Sequence, residues 1–67
     1  ALDALSDREL ELFRLTGKGL STPAIAEAME LSESSIHAYR LQIKRKLALH
    51  ELSDLVRHAI EWEQRQH

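Results

Sequence analysis

Four basic side chains cluster near the middle of the chain: Arg40, Lys44, Arg45 and Lys46. No acid lies between residues 35 and 50, so that stretch carries a net charge of +4. Residues 1–34 hold three basic against seven acidic side chains, net −4, and residues 51–67 hold two against four, net −2. The whole chain therefore stands at −2, which argues against a uniformly basic nucleic-acid binder. One basic segment in an acidic body is nevertheless a local electrostatic footprint, and phosphate is the ligand it suits. The competing reading is a solvated helix face whose cations pair with acids elsewhere.

Histidine is the other residue type that could do chemistry. His37, His50, His58 and His67 show no i, i+4 pair of the kind that holds zinc on a helix, so no metal site is expected. His50 reads as a helix-end residue, where a cation is favoured. Ser, His and Asp all occur, but without a nucleophile elbow or a glycine-rich phosphate loop. Glu9 and Glu11 read as residues of a first helical turn. At 67 residues only about 60% of the unfolded chain's surface can be buried, which leaves little wall for a substrate cleft. We expect neither enzyme activity nor a cofactor.

The absence of cysteine excludes disulfides and thiolate metal sites and fits a reducing compartment. No apolar run approaches the ~20 residues of a membrane span, and the start does not resemble a signal peptide. The expected location is the cytoplasm. The chain starts at Ala1 without an initiator Met, so we expect a fragment whose upstream part has been removed.

The elements that must position the basic segment are helical. Both glycines and the one proline fall within Gly17–Pro23, and the remainder is rich in helix formers. Ser6 and Glu9 make a capping box, and an apolar stripe through Leu5, Leu12 and Leu15, with Phe13 beside it, ends at Gly17 as a stop. Ser21 or Thr22 caps a short second helix with Pro23 in its first turn and Ile25, Ala26 and Met29 on its buried face. Leu31-Ser32 is a turn, and Ser32 caps a third helix whose apolar set is Ile36, Ile43 and Leu47, with Tyr39 and Arg40 flanking. A fourth helix presents Leu52, Leu55, Val56, Ala59 and Ile60. The predicted helices are 6–16, 22–30, 33–48 and 51–63. No segment alternates with period two, so the expected class is all-α. A short helix, a tight turn and a longer helix make a helix-turn-helix, and residues 1–67 read as one such domain.

Successive helix residues advance by ~100°. With Ile36 facing the core, Ala38, Leu41 and Arg45 point outward, bordered by Ser34, His37 and Lys44. One helix fits the major groove, with phosphates along the edges and base edges on the floor. Lys44, Arg45 and Lys46 suit phosphates; small or apolar outward residues suit close approach and thymine methyls; His37 could donate to guanine or phosphate. Leu41 has three open readings: a lone exposed leucine, a base or sugar contact, or a protein contact. Trp62 either packs over the N-terminal segment near Leu2 or Leu5, or meets a partner or another domain. Val56 and Ala59 are candidate dimer residues, although most of their stripe must serve the thin core.

These residues resemble the LuxR-type (NarL/FixJ-type) DNA-binding domain. The likeness is carried by Leu5-Ser6-Asp7-Arg8-Glu9-Leu10-Glu11, by Gly19-Leu20-Ser21 with Ile25-Ala26, by Leu31-Ser32-Glu33-Ser34-Ser35-Ile36, and by Arg45-Lys46-Leu47-Ala48-Leu49-His50. It covers residues 5–60. It implies a four-helix domain whose third helix enters the major groove of double-stranded DNA and whose fourth helix pairs two copies on a two-fold site. It implies base contacts from His37, Ala38 and Leu41, and phosphate contacts from Thr22, Ser35, Lys44, Arg45 and Lys46. Such domains form the C-terminal part of bacterial transcriptional regulators, following a phosphorylatable receiver (as in two-component response regulators) or a ligand-sensing domain.

The chain departs from the pattern. The family often has Lys at His37, a polar or basic residue at Leu41, and Asn-Lys-Glu at Thr22-Pro23-Ala24. These changes thin the charge on the DNA face. The alternative is therefore a helix-turn-helix protein-interaction module with weak or lost DNA binding. A promoter-recognising sigma-factor domain shares the helical logic, but the Leu5–Glu11 opening and the length of the fourth helix speak against it.

Overall fold

The structure, a computed structural model, describes residues 2–66. A short 3₁₀ turn at Leu2–Ala4 precedes four helices: α1 (Asp7–Gly17), α2 (Thr22–Met29), α3 (Glu33–Lys46) and α4 (Leu52–Arg65). The described residues contain no strand. The expected all-α, four-helix arrangement is the one observed.

The N-termini follow from the serines. Ser6 Oγ accepts from the Glu9 N–H at 3.2 Å, and the Glu9 carboxylate accepts from the Ser6 N–H at 2.8 Å, which closes the capping box. Ser21 Oγ accepts from the Ala24 N–H and Ser32 Oγ from the Ser35 N–H, so Ser21 rather than Thr22 caps α2. At α4, Asp54 accepts from the N–H of Glu51.

The first three helices end in one way. Past each, a residue turns left-handed: Gly19 (φ 90°), Glu30 (φ 56°) and Ala48 (φ 57°). The leucine after it donates its N–H back across the last turn, Leu20 to Leu15, Leu31 to Ala26 and Leu49 to Lys44. These three leucines then pack against the core. α1 ends at Gly17, where the sequence places its stop, and the left-handed residue follows at Gly19. α3 ends at Lys46, two residues before Ala48, which leaves the helical region. His50 consequently lies in the α3–α4 connection.

Gly17 has a different reason. A Cβ there would come within 2.4 Å of the Ala59 carbonyl oxygen, so α1 and α4 approach at a point where only glycine fits. The core gathers between all four helices: Leu12, Phe13, Ile25, Ala26, Met29, Ile36, Ile43, Leu55 and Ala59. Trp62 packs edge-to-face on Phe13, with ring centroids 5.7 Å apart. Its ring partner is thus a core residue of α1. The fourth-helix stripe divides: Leu55 and Ala59 are buried, whereas Leu52 and Ile60 are exposed.

Candidate nucleic-acid interface

The candidate surface is built on α3. Ile36 and Ile43 anchor one side of it completely in the core, which turns the opposite side to solvent. His37, Ala38, Leu41 and Arg45 are exposed there, Leu41 at 49%. His37, Leu41 and Lys44 share one flank with Leu52 and Arg40, around an open groove. Ala38 and Ser35 share the other flank with Tyr39 and Gln42. Gln42 is exposed beside Ala38, and the sequence reading passed over it. Its offset of ~120° from Ile36 was the available signal.

Of the expected phosphate residues, Arg45 is exposed and Lys44 half-buried at the rim. Ser35 Oγ accepts from the Ser32 hydroxyl at 3.1 Å. Thr22 Oγ1 accepts from Arg40 Nη1 at 2.7 Å. Each hydroxyl used as an acceptor retains its own O–H to donate. The α2 start and the α3 face are thereby held together by a side-chain bond.

Lys46 is placed otherwise. Its ammonium meets Glu9 Oε1 at 2.6 Å, tying the end of α3 to the start of α1. Glu9 is almost wholly enclosed, and the Lys46 hydrogen bond, followed by the Ser6 N–H, holds its carboxyl below the usual carboxylate range against the opposing effect of burial. One ammonium N–H is thereby committed to a buried carboxylate, while the Lys46 side chain stays 38% exposed and keeps two further donors. Lys44 and Arg45 form no ion pair among the described residues.

Arg40 was expected to flank the core face, but it is only 7% exposed. Its ~40° offset from Ile36 was the sequence signal for this. On α4, Ala59 is fully buried against α1 at Gly17, so the expectation that it contacts a second copy is corrected. Val56 is half-buried and lies in an apolar surface with Leu52 and Ile60, bordered by Arg57 and Glu61.

His37, His50 and His58 lie on α3, in the α3–α4 connection and on α4; His67 lies outside the described residues. Among the described residues no three His, Asp or Glu gather as metal ligands, and no helix is long and apolar enough to cross a membrane.

Comparison with known proteins bears on this surface. The model of the luxR family of bacterial regulatory proteins matches residues 3–59. A Pseudomonas aeruginosa protein named "Putative transcriptional regulator" is 36% identical over 55 residues, covering 82% of this chain and 27% of that protein. The Fimbriae Z protein of Salmonella typhimurium is 38% identical over 55 residues, covering 82% and 26%. That of Escherichia coli K12 is 36% identical over the same length, with the same coverage. The chain thus spans about a quarter of the length of these relatives. No solved structure matches at comparable significance.

Proposed function

Because the chain belongs to the luxR family of bacterial regulatory proteins, we propose that it is the sequence-specific DNA-binding unit of a transcriptional regulator, with α3 in the major groove and two copies paired through α4. The observation that carries this reading is the outward face of α3. A capped helix presents His37, Ala38, Leu41 and Gln42 for base edges, with Lys44 and Arg45 beside them for phosphates. Thr22 and Ser35 add hydroxyls where the strand would pass. Such a unit needs no cofactor and works in the cytoplasm.

Pairing is supported by the apolar surface of Leu52, Val56 and Ile60. Arg57 and Glu61 border it one turn apart, so an antiparallel second copy would set Arg57 of one against Glu61 of the other, as a two-fold interface requires. The matched region is about a quarter of each relative, which leaves room in a regulator of that length for a receiver or ligand-sensing domain that controls pairing.

A titration on mixed-sequence duplex DNA tests the reading. The expected result is binding at low salt that fades toward physiological salt with a slope of several phosphates. A folded, helical chain that fails to bind at low salt would overturn it. The second reading, a protein-interaction module, draws on the half-exposed Leu41 and on the pairing of Lys46 with Glu9. Such a module would bind its partner with little dependence on salt.

A further inference from the structure

We infer that Arg40 is the buried anchor of a phosphodiester seat on the flank of α3 that faces the start of α4, with Lys44 at its rim. The inference rests on the proposed reading of α3 as the DNA-contacting helix, and it adds a residue that periodicity assigns to the core side.

The first ground is an unpartnered charge. Arg40 is 7% exposed, and guanidinium carries five N–H donors. One hydrogen bond is made, from Nη1 to the neutral Thr22 hydroxyl. Nε is buried with no hydrogen-bond partner. Among the described residues no carboxylate pairs with this cation, and burial lowers its pKa without an opposing acid. The group still remains charged, because arginine does not deprotonate in proteins. A buried cation without a counter-ion is costly, and an apolar residue of the same volume would serve a core better. The arrangement is one that an incoming anion completes.

The second ground is access. Arg40 is not sealed in; it lines the groove formed with His37, Leu41, Lys44 and Leu52. His37, Arg40 and Lys44 stand at i, i+3 and i+7, so they form one column along the helix. No acid lines this groove. Leu41 supplies apolar surface against which a deoxyribose can lie. A guanidinium held in place by Thr22 has already lost much of its side-chain freedom, so it binds phosphate at reduced entropic cost.

The test measures duplex affinity against salt for the wild-type chain, Arg40→Gln and Arg40→Lys. It also follows the Arg40 Nε–H signal of the labelled wild-type chain by NMR as inorganic phosphate replaces chloride at constant ionic strength. The expected result is a salt slope lower by about 0.9 in Arg40→Gln, near the wild-type value in Arg40→Lys, with base preference unchanged in both. The Nε–H signal is expected to shift with phosphate. A folded Arg40→Gln chain with the wild-type slope would make Arg40 a strut between α2 and α3 and would overturn the seat. If Arg40→Gln does not fold, the decision passes to the wild-type signal, and no shift overturns the seat. Should the wild-type chain bind no duplex while Nε–H still responds to phosphate, the DNA reading falls and the seat stands. Intact duplex binding with no change in slope or signal removes the seat alone.

Discussion

At the scale of single residues, the pairing of Glu9 with Lys46 separates two uses of positive charge on one helix. Glu9 is enclosed and accepts from both Lys46 and the Ser6 N–H, so its folded-state pKa is depressed below the ordinary 4.5. A depressed carboxylate stabilises the fold above its unfolded pKa and loses that contribution as pH falls through the lower, folded value. The melting temperature should therefore drop below about pH 4.5, and Glu9→Gln should flatten that part of the profile. An unchanged acid profile in Glu9→Gln would show that the pair does not govern it. The same contact divides the basic residues in binding. Lys44→Ala and Arg45→Ala should each weaken all DNA sequences alike and lower the salt slope by about 1. Lys46→Ala should leave the slope nearly unaltered, since its ammonium is already paired. His37→Ala and Leu41→Ala should change the ranking of sites instead, measured by selection from a random pool. A ranking identical to wild type would remove both from the base-reading set.

At the scale of elements, three helices stop by the same left-handed turn followed by a core-seeking leucine. Only the first stop uses glycine. Ala48 carries φ 57°, a conformation that costs an L residue roughly 1–2 kcal/mol. Ala48→Gly should stabilise the domain by about 1 kcal/mol in denaturant unfolding, after the added flexibility of glycine in the unfolded chain is subtracted. Gly17 predicts the opposite sign. Alanine gains about 1 kcal/mol in helix propensity. Its Cβ, however, would meet the Ala59 backbone at 2.4 Å, and backbone cannot swing aside as a side chain can. The overpacking cost of about 1–3 kcal/mol should win, so Gly17→Ala is expected to lower the melting temperature. A rise would mean that α1 and α4 separate easily.

At the scale of the whole molecule, the core is thin and α4 gives it only one of its faces. Leu55 and Ala59 close the core against α1, while Leu52, Val56 and Ile60 remain on the surface. Ile60→Glu should therefore change folding stability by no more than about 0.5 kcal/mol, in the range of surface substitutions. It should weaken binding to a duplex carrying two half-sites while leaving binding to one half-site as it was. Equal binding of wild type and Ile60→Glu to the two-half-site duplex would exclude α4 as the pairing surface.

Much of this protein follows from its sequence alone. Helix identity, the serine caps at Ser6, Ser21 and Ser32, the Leu31-Ser32 turn and the inward faces of α1 to α3 depend on neighbours within about one turn, and a single sequence displays those. The outward placement of His37, Ala38, Leu41 and Arg45 follows from the same periodicity. What the tertiary structure decided concerns partners distant along the chain. Lys46 finds Glu9 and Arg40 finds Thr22 only once α3 lies across α1 and α2. The fourth-helix stripe is too wide for periodicity to say which half is covered, and the close approach of α1 at Gly17 selects Leu55 and Ala59. The left-handed turn at Ala48 is likewise set by the pull of Leu49 toward the core, a preference that no residue of that segment announces by type.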